Sequence, residues 1–86
     1  NMPTASPSNS RKKTFKKWQC VSIAMEDGRR AGYIFSDKDH RGRYSVDIPS
    51  MGISIKAKGD MLTPINCSTT MKTRIADHKV LIRRTR

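Results

Sequence analysis

Long hydrophobic runs and acidic residues are scarce in this sequence of 86 residues. No apolar stretch approaches the ~20 residues that a membrane-spanning helix requires. The amino-terminal residues also lack the apolar segment of a signal peptide. We therefore expect a cytoplasmic chain without membrane insertion.

Cysteine is rare as well, since Cys20 and Cys67 are the only two. Two cysteines are too few for the disulfide framework of a small secreted domain. Their predicted positions on different strands leave a pairing open, but we expect two small buried thiols in a reduced protein. The cysteines and the two histidines also lack the paired spacing of a zinc site. The sequence therefore predicts neither a metal nor a cofactor.

We predict no amphipathic helix, because no window of about 11 residues or more repeats apolar positions at helical spacing. Short segments instead alternate apolar and polar residues and are separated by turn residues. The predicted strands span residues 18–25, 30–35, 43–48, 53–58, 65–75 and 79–83. This pattern predicts an all-β fold, either a small five- or six-stranded barrel or a curled antiparallel sheet.

Two regions of different composition divide the chain. Residues 1–17 begin with Ser, Pro and Asn and end in a cluster of cations, and they contain too little apolar surface to fold. We predict a flexible, disordered basic arm there. Residues 18–86 are predicted to form a single small β-barrel domain.

Positive charge is abundant: 18 Lys and Arg against seven Asp and Glu give a formal net charge of +11. Nucleic acid is the commonest partner for such a field, because each cation placed on a phosphate releases counterions. Charge spread over several strands favours contact with the backbone of single-stranded or structured RNA or DNA. The predicted phosphate contacts are Arg11, Lys12, Lys13, Lys16, Lys17, Arg29, Arg30, Arg41, Arg43, Lys56 and Lys58.

Aromatic residues interleave with these cations. Trp18 and Tyr33 are the best candidates for stacking on bases. Tyr33 and Phe35 share one face of their strand, and the small size of the core favours a core position for both over an exposed stacking platform. In that case the binding surface would depend mainly on phosphate contacts.

Catalysis is not indicated. His40 and His78 lie in predicted turns beside aspartates, where solvated side chains are common. His78 and Asp77 are compatible with a base and its orienting group, but no recognisable motif places a nucleophile. We predict a non-enzymatic binding protein.

The segment Asp47-Ile-Pro-Ser-Met-Gly52, followed by Ile53-Ser-Ile55, resembles the D-x-S-x-x-G turn of PilZ domains. PilZ domains are β-barrels that bind cyclic di-GMP through this turn and a preceding R-x-x-x-R stretch. The resemblance implies a ligand turn of Asp47, Ser50 and Gly52. Pro49 stands where the family has Ser, and Lys12 and Lys16 hold the spacing of the two arginines. A degenerate PilZ-like module that binds a cyclic dinucleotide is therefore the alternative function.

A third interpretation is a structural protein of a nucleoprotein assembly. The high charge and thin core fit a chain that is stabilised by its neighbours, as a homo-oligomer or within a larger particle.

Overall fold

The computed structural model describes residues 14–84 as five strands followed by one helix. Arg11, Lys12 and Lys13 of the predicted basic arm lie outside the described residues. The elements are β1 (Cys20–Met25), β2 (Gly28–Ser36), β3 (Arg43–Ile48), β4 (Ile53–Lys58), a 3-10 turn (Gly59–Met61), β5 (Leu62–Pro64) and α1 (Thr69–Arg84).

The strands form one antiparallel sheet in the order β4-β3-β2-β1-β5. The first four strands are a meander, and β5 returns to pair with β1 at the opposite edge. The 3-10 turn alone joins the two edge strands, so the sheet must curl strongly to bring them together. The predicted curled antiparallel sheet is confirmed, although β4 and β5 do not pair and the sheet is not closed.

The inner face of the curled sheet holds the main core. Alternate residues of each strand point inward, as the two-residue period predicts. The core residues are Val21, Ile23, Ile34, Tyr44, Val46, Ile48, Ala57 and Leu62, all at most 2% exposed. Phe15 closes part of this core, because its ring packs edge-on against Tyr44 at 5.6 Å and its amide donates to the Tyr44 hydroxyl.

The outer face of the sheet is covered in part by α1, and here the strand predictions for 65–75 and 79–83 are wrong. The statement that helical spacing is missing is also wrong, because Met71, Ile75, His78 and Ile82 recur at intervals of four, three and four residues. Ser68 caps the helix by accepting a hydrogen bond from the Met71 amide. The threonines of the first turns favour strands by propensity, and tertiary packing overrides that preference.

A second, smaller cluster lies between α1 and the sheet. Its buried members are Cys20, Tyr33 and Ile75, with Trp18, Phe35, Cys67 and Met71 packed against them. Cys20 and Cys67 form a disulfide, so the expectation of two unpaired thiols is wrong. The expectation rested on the low cysteine count, which argues against a disulfide framework but does not exclude a single bridge. Within residues 14–84, no helix combines the length and apolarity needed to cross a membrane.

Candidate nucleic-acid interface

Trp18 occupies a tight turn at the entrance to β1. The Gln19 amide donates to the Lys16 carbonyl, and the Lys16 amide donates to the Gln19 side chain. Trp18 itself donates its amide to the Ile34 carbonyl at 2.6 Å and has a positive φ of 74°. Left-handed backbone costs a non-glycine residue about 1 kcal/mol or more. This turn therefore holds a bulky aromatic residue in a conformation that its side chain does not favour.

The indole of Trp18 lies where the amino-terminal turn meets the helix. Its ring stacks on Tyr33 at 6.2 Å and meets His78 edge-on at 5.4 Å. The ammonium groups of Lys17 and Lys79 lie 5.8 and 5.4 Å from the ring centroid. Lys17, Trp18, Lys79, Ile82 and Arg83 together line an open cavity of about 260 Å³. Three cations thus surround one half-buried indole.

One flank of α1 extends this cationic surface. Lys72, Lys79 and Arg83 are spaced by seven and four residues, so they lie on one side of the helix, next to the buried face. All three are exposed. We call the set of Lys16, Lys17, Trp18, Lys72, Lys79 and Arg83 the basic face.

Tyr33 lies beneath the helix and is only 2% exposed. Its hydroxyl is 2.6 Å from Nδ1 of His78. Burial, and then the nearby Asp47 carboxylate, raise the pKa of Tyr33 to about 12. The ring is therefore covered, and the interpretation of Tyr33 and Phe35 as core residues agrees with the structure better than a stacking platform does.

The predicted cations of the sheet lie in separate places and mostly have partners. Arg29 crosses the outer face and donates to the Ser22 hydroxyl, the Ser22 carbonyl and the Thr63 hydroxyl at 2.7–3.0 Å. Arg30 pairs with Asp27 at 2.7 Å, and this hydrogen bond lowers the pKa of Asp27. Both arginines are thus engaged within the hairpin region.

The loop between β2 and β3 holds another charged group. One Asp39 oxygen accepts the amides of Arg41 and Arg43 at 2.9 Å each. The other lies 3.5 Å from both Arg43 Nε and Lys56 Nζ. The hydrogen bond from the Arg43 amide is the largest cause that lowers the pKa of Asp39 to about 2. Arg41 and Lys58 are exposed. The side chain of neither residue forms an ion pair with Asp39 in residues 14–84 or belongs to the basic face.

The turn that resembles the PilZ motif lies near the start of α1. Ser50 lines a cavity of about 230 Å³ with Ser68, Met71 and Arg74. Asp47 lines a second cavity, of about 320 Å³, with Arg74 and His78. Gly52 has a positive φ of 66°, and the Ser54 hydroxyl donates to Asp47 at 3.0 Å. Arg74 therefore borders both sides of this turn.

Neither a family model nor a curated protein nor a solved structure gives a significant match to this chain. In residues 14–84, no three His, Cys, Asp or Glu side chains come close enough to hold a metal ion.

Three residues of the basic face, Lys72, Lys79 and Arg83, are absent from the predicted contacts. Lys79 and Arg83 were placed on a strand, and a two-residue period does not bring them beside Trp18. The recurrence of Met71, Ile75, His78 and Ile82 was the signal that would have found them, because it fixes which flank Lys79 and Arg83 occupy.

Proposed function

We propose that this protein is a non-enzymatic nucleic-acid-binding protein that uses the basic face. The observation that carries the proposal is the cavity in which Lys17, Lys79 and Arg83 surround Trp18. Exposed cations neutralise phosphates, and an aromatic ring among them offers a stacking partner for a base.

The positions of the cations favour this face over the rest of the surface. Lys72, Lys79 and Arg83 have no acidic partner among the ion pairs of residues 14–84, whereas Arg30, Arg43 and Lys56 each have one. A phosphate would have to displace those aspartates on the sheet, but not on the helix flank. Lys16 and Lys17, at the end of the predicted arm, extend the same surface along the chain.

A flexible strand fits the geometry better than a rigid duplex does. The basic face is formed by a turn and one helix flank, and Trp18 is recessed between them. A base must leave its stack to reach such a ring, which costs little in single strands. We therefore propose single-stranded or structured RNA or DNA as the ligand class and the cytoplasm as the location.

The test is a comparison of Lys79→Ala with Lys58→Ala, which removes an exposed cation from β4. Binding of single-stranded RNA and DNA is followed by anisotropy of labelled oligonucleotides at several salt concentrations. For Lys79→Ala we expect weaker binding and a salt slope reduced by about 0.7, the value for one lost phosphate contact on a single strand. Lys58→Ala should leave both nearly unchanged. Equal effects of the two variants would contradict a localised site.

A second pair of variants tests the stacking contribution of Trp18. Trp18→Ala should weaken binding by about 1–3 kcal/mol, the range for one stacked base. Trp18→Phe keeps an aromatic ring and should retain most of the affinity. If Phe and Ala lose equal affinity while the fold stays intact by circular dichroism, the ring does not stack on a base.

The alternative ligand is a cyclic dinucleotide such as cyclic di-GMP, and the position of Arg74 favours it. Arg74 lies beside the turn of Asp47, Ser50 and Gly52 and borders both adjacent cavities. A cyclic dinucleotide bound there should be lost in Arg74→Ala and retained in Lys79→Ala. The opposite pattern would assign the ligand to the basic face.

A further inference from the structure

We propose that the Cys20–Cys67 disulfide is a redox-modification site that holds the helical half of the basic face in place. This inference rests on the proposed function and adds regulation to the same site. The disulfide joins the first residue of β1 to the loop that leads into α1, with a Cα–Cα distance of 5.4 Å. Besides the main chain of residues 65–68, it is the covalent link between the sheet and the segment that carries Lys79 and Arg83.

The helix has few other attachments to the sheet. Ile75 is the only residue of α1 that is buried, and Met71 and His78 are half-buried. The hydrogen bond between Tyr33 and His78 adds one polar contact, and the His78 ring also meets the rings of Trp18 and Phe35 at 5.4 and 5.1 Å. Helices of this length, 16 residues, are marginal in water without tertiary packing. The disulfide therefore contributes a large part of what keeps α1 docked.

Charge opposes docking once the link is open. The helix carries five cations and one aspartate, and it lies against the turn that contains Lys16 and Lys17. The cations of the helix and of this turn repel one another, and a bound polyanion removes the repulsion. Opening the disulfide thus favours an undocked helix in the free protein, and nucleic acid favours the docked one.

The two sulfurs differ in access, which defines the route of reduction. Cys20 is 1% exposed, whereas Cys67 is half-buried in the loop. A thiolate of a dithiol reductant attacks Sγ of Cys67, forming a mixed disulfide and releasing Cys20 as a thiolate that takes up a proton. The second thiol of the reductant then displaces Cys67, which is also protonated. The protein gains two electrons and two protons, and the reductant leaves as its own disulfide.

The consequence for binding follows from the geometry of the basic face. Undocking separates Lys79, Ile82 and Arg83 from Trp18 and leaves Lys17 beside the ring. The reduced protein should therefore engage about two fewer phosphates and lower its salt slope by about 1.4 on single strands. Reciprocity requires that bound nucleic acid also shift the equilibrium of the cysteines toward the disulfide.

The experiment compares the oxidised chain, the dithiothreitol-reduced chain and the variant Cys20→Ser/Cys67→Ser, which controls for the reductant. Helix docking is read from Trp18 fluorescence and from amide hydrogen exchange of α1. Binding of a labelled single-stranded oligonucleotide is measured in parallel. We expect reduction to increase exchange in α1, shift Trp18 emission and weaken binding about tenfold at about 0.2 M salt, where a slope change of about 1.4 gives that factor. The double serine variant should behave like the reduced chain, and dithiothreitol should change neither its amide exchange, nor its Trp18 emission, nor its binding.

Two results would overturn the proposal in distinguishable ways. Unchanged exchange and emission after complete reduction would show that the disulfide does not hold the helix. Undocking without any loss of binding would show that the helical cations are not part of the site, and this result would contradict the proposed function as well. If the serine variant does not fold, the reduced parent chain, with inner-core amides monitored as an internal reference, decides the question.

Discussion

The two apolar clusters of this protein are built differently. The inner core contains eight buried residues from all five strands, most of them aliphatic. The cluster under the helix buries only Cys20, Tyr33 and Ile75. Two aromatic rings, those of Trp18 and Phe35, pack against it together with Cys67 and Met71. Its other contacts are a disulfide and a hydrogen bond between Tyr33 and His78. The sheet is thus stabilised by apolar burial, whereas the helix depends on a covalent link and on polar and aromatic contacts.

This difference has a functional meaning. A region that buries little apolar surface opens more easily than the main core, and mobile binding elements are drawn from such regions. The basic face spans both regions, because Lys16, Lys17 and Trp18 lie at the entrance to the sheet and Lys79 and Arg83 on the helix. Its integrity is therefore limited by the weaker attachment.

The largest expected effect is on the free energy of unfolding. It is measured by truncating one isoleucine in each cluster to alanine. Ile34→Ala removes a fully buried side chain from the inner core and should destabilise the protein by about 2–5 kcal/mol. Ile75→Ala removes the same atoms from a site that is 7% exposed and borders the helix, which can adjust its position. We expect the loss there to lie at or below the lower end of that range. Urea unfolding followed by circular dichroism measures both.

Equal losses, or a larger loss for Ile75→Ala, would show that the helix is as tightly integrated as the strands. The two clusters should also differ in when they unfold, and two spectroscopic probes report this difference. For Ile75→Ala, Trp18 fluorescence should change at lower urea concentration than the circular dichroism signal of the sheet.

A smaller effect concerns the polar contact under the helix at alkaline pH. The pKa of Tyr33 is raised from 10.0 to about 12, mainly by burial. Between these values the unfolded chain loses the phenolic proton while the folded chain keeps it, so stability falls as pH rises. In Tyr33→Phe this part of the decline should be absent. Thermal unfolding at pH 9 to 12 checks it, and identical slopes for parent and variant would contradict the assignment.

The smallest effect is expected in the loop between β2 and β3. The pKa of Asp39 is lowered from 3.8 to about 2, so its carboxylate stabilises the folded chain above pH 3.8 and loses that contribution as pH falls toward 2. Asp39→Asn should be less stable than the parent at neutral pH and should converge with it in acid. Chemical unfolding at pH 2 to 6 measures the convergence, and a constant difference across this range would exclude Asp39 as its source.

The strands of the meander could be predicted because one face of each is buried. Tyr44, Val46 and Ile48 on β3 and Ile53, Ile55 and Ala57 on β4 alternate with polar residues. The structure places all of them in or against the inner core except Ile53, which is 38% exposed at the start of β4. The helix could not be recognised in the same way. Its inward positions include His78 and widely spaced single apolar residues, and Thr69, Thr70 and Thr73 favour a strand by propensity.

The residues of the candidate site could be predicted where the strand or helix that carries them was predicted correctly. Lys16, Lys17 and Trp18 precede β1, and their place follows from composition and from the start of the first strand. Lys79 and Arg83 depend on the helix, and the covering of Tyr33 depends on where that helix packs. The spacing of Met71, Ile75, His78 and Ile82 indicates the helix and the flank that Lys79 and Arg83 occupy. Tertiary contacts between distant segments decide where the helix packs, and local patterns do not encode that position.

The return of β5 to β1 also predicts the order of folding events. Three hairpins connect neighbours in sequence, so their contacts form across short loops at little entropic cost. The pairing of β5 with β1 spans most of the sheet, and the disulfide closes a separation of 47 residues. Such distant contacts form late in folding. The nascent chain should therefore acquire its meander first, and the helix that completes the basic face should dock last.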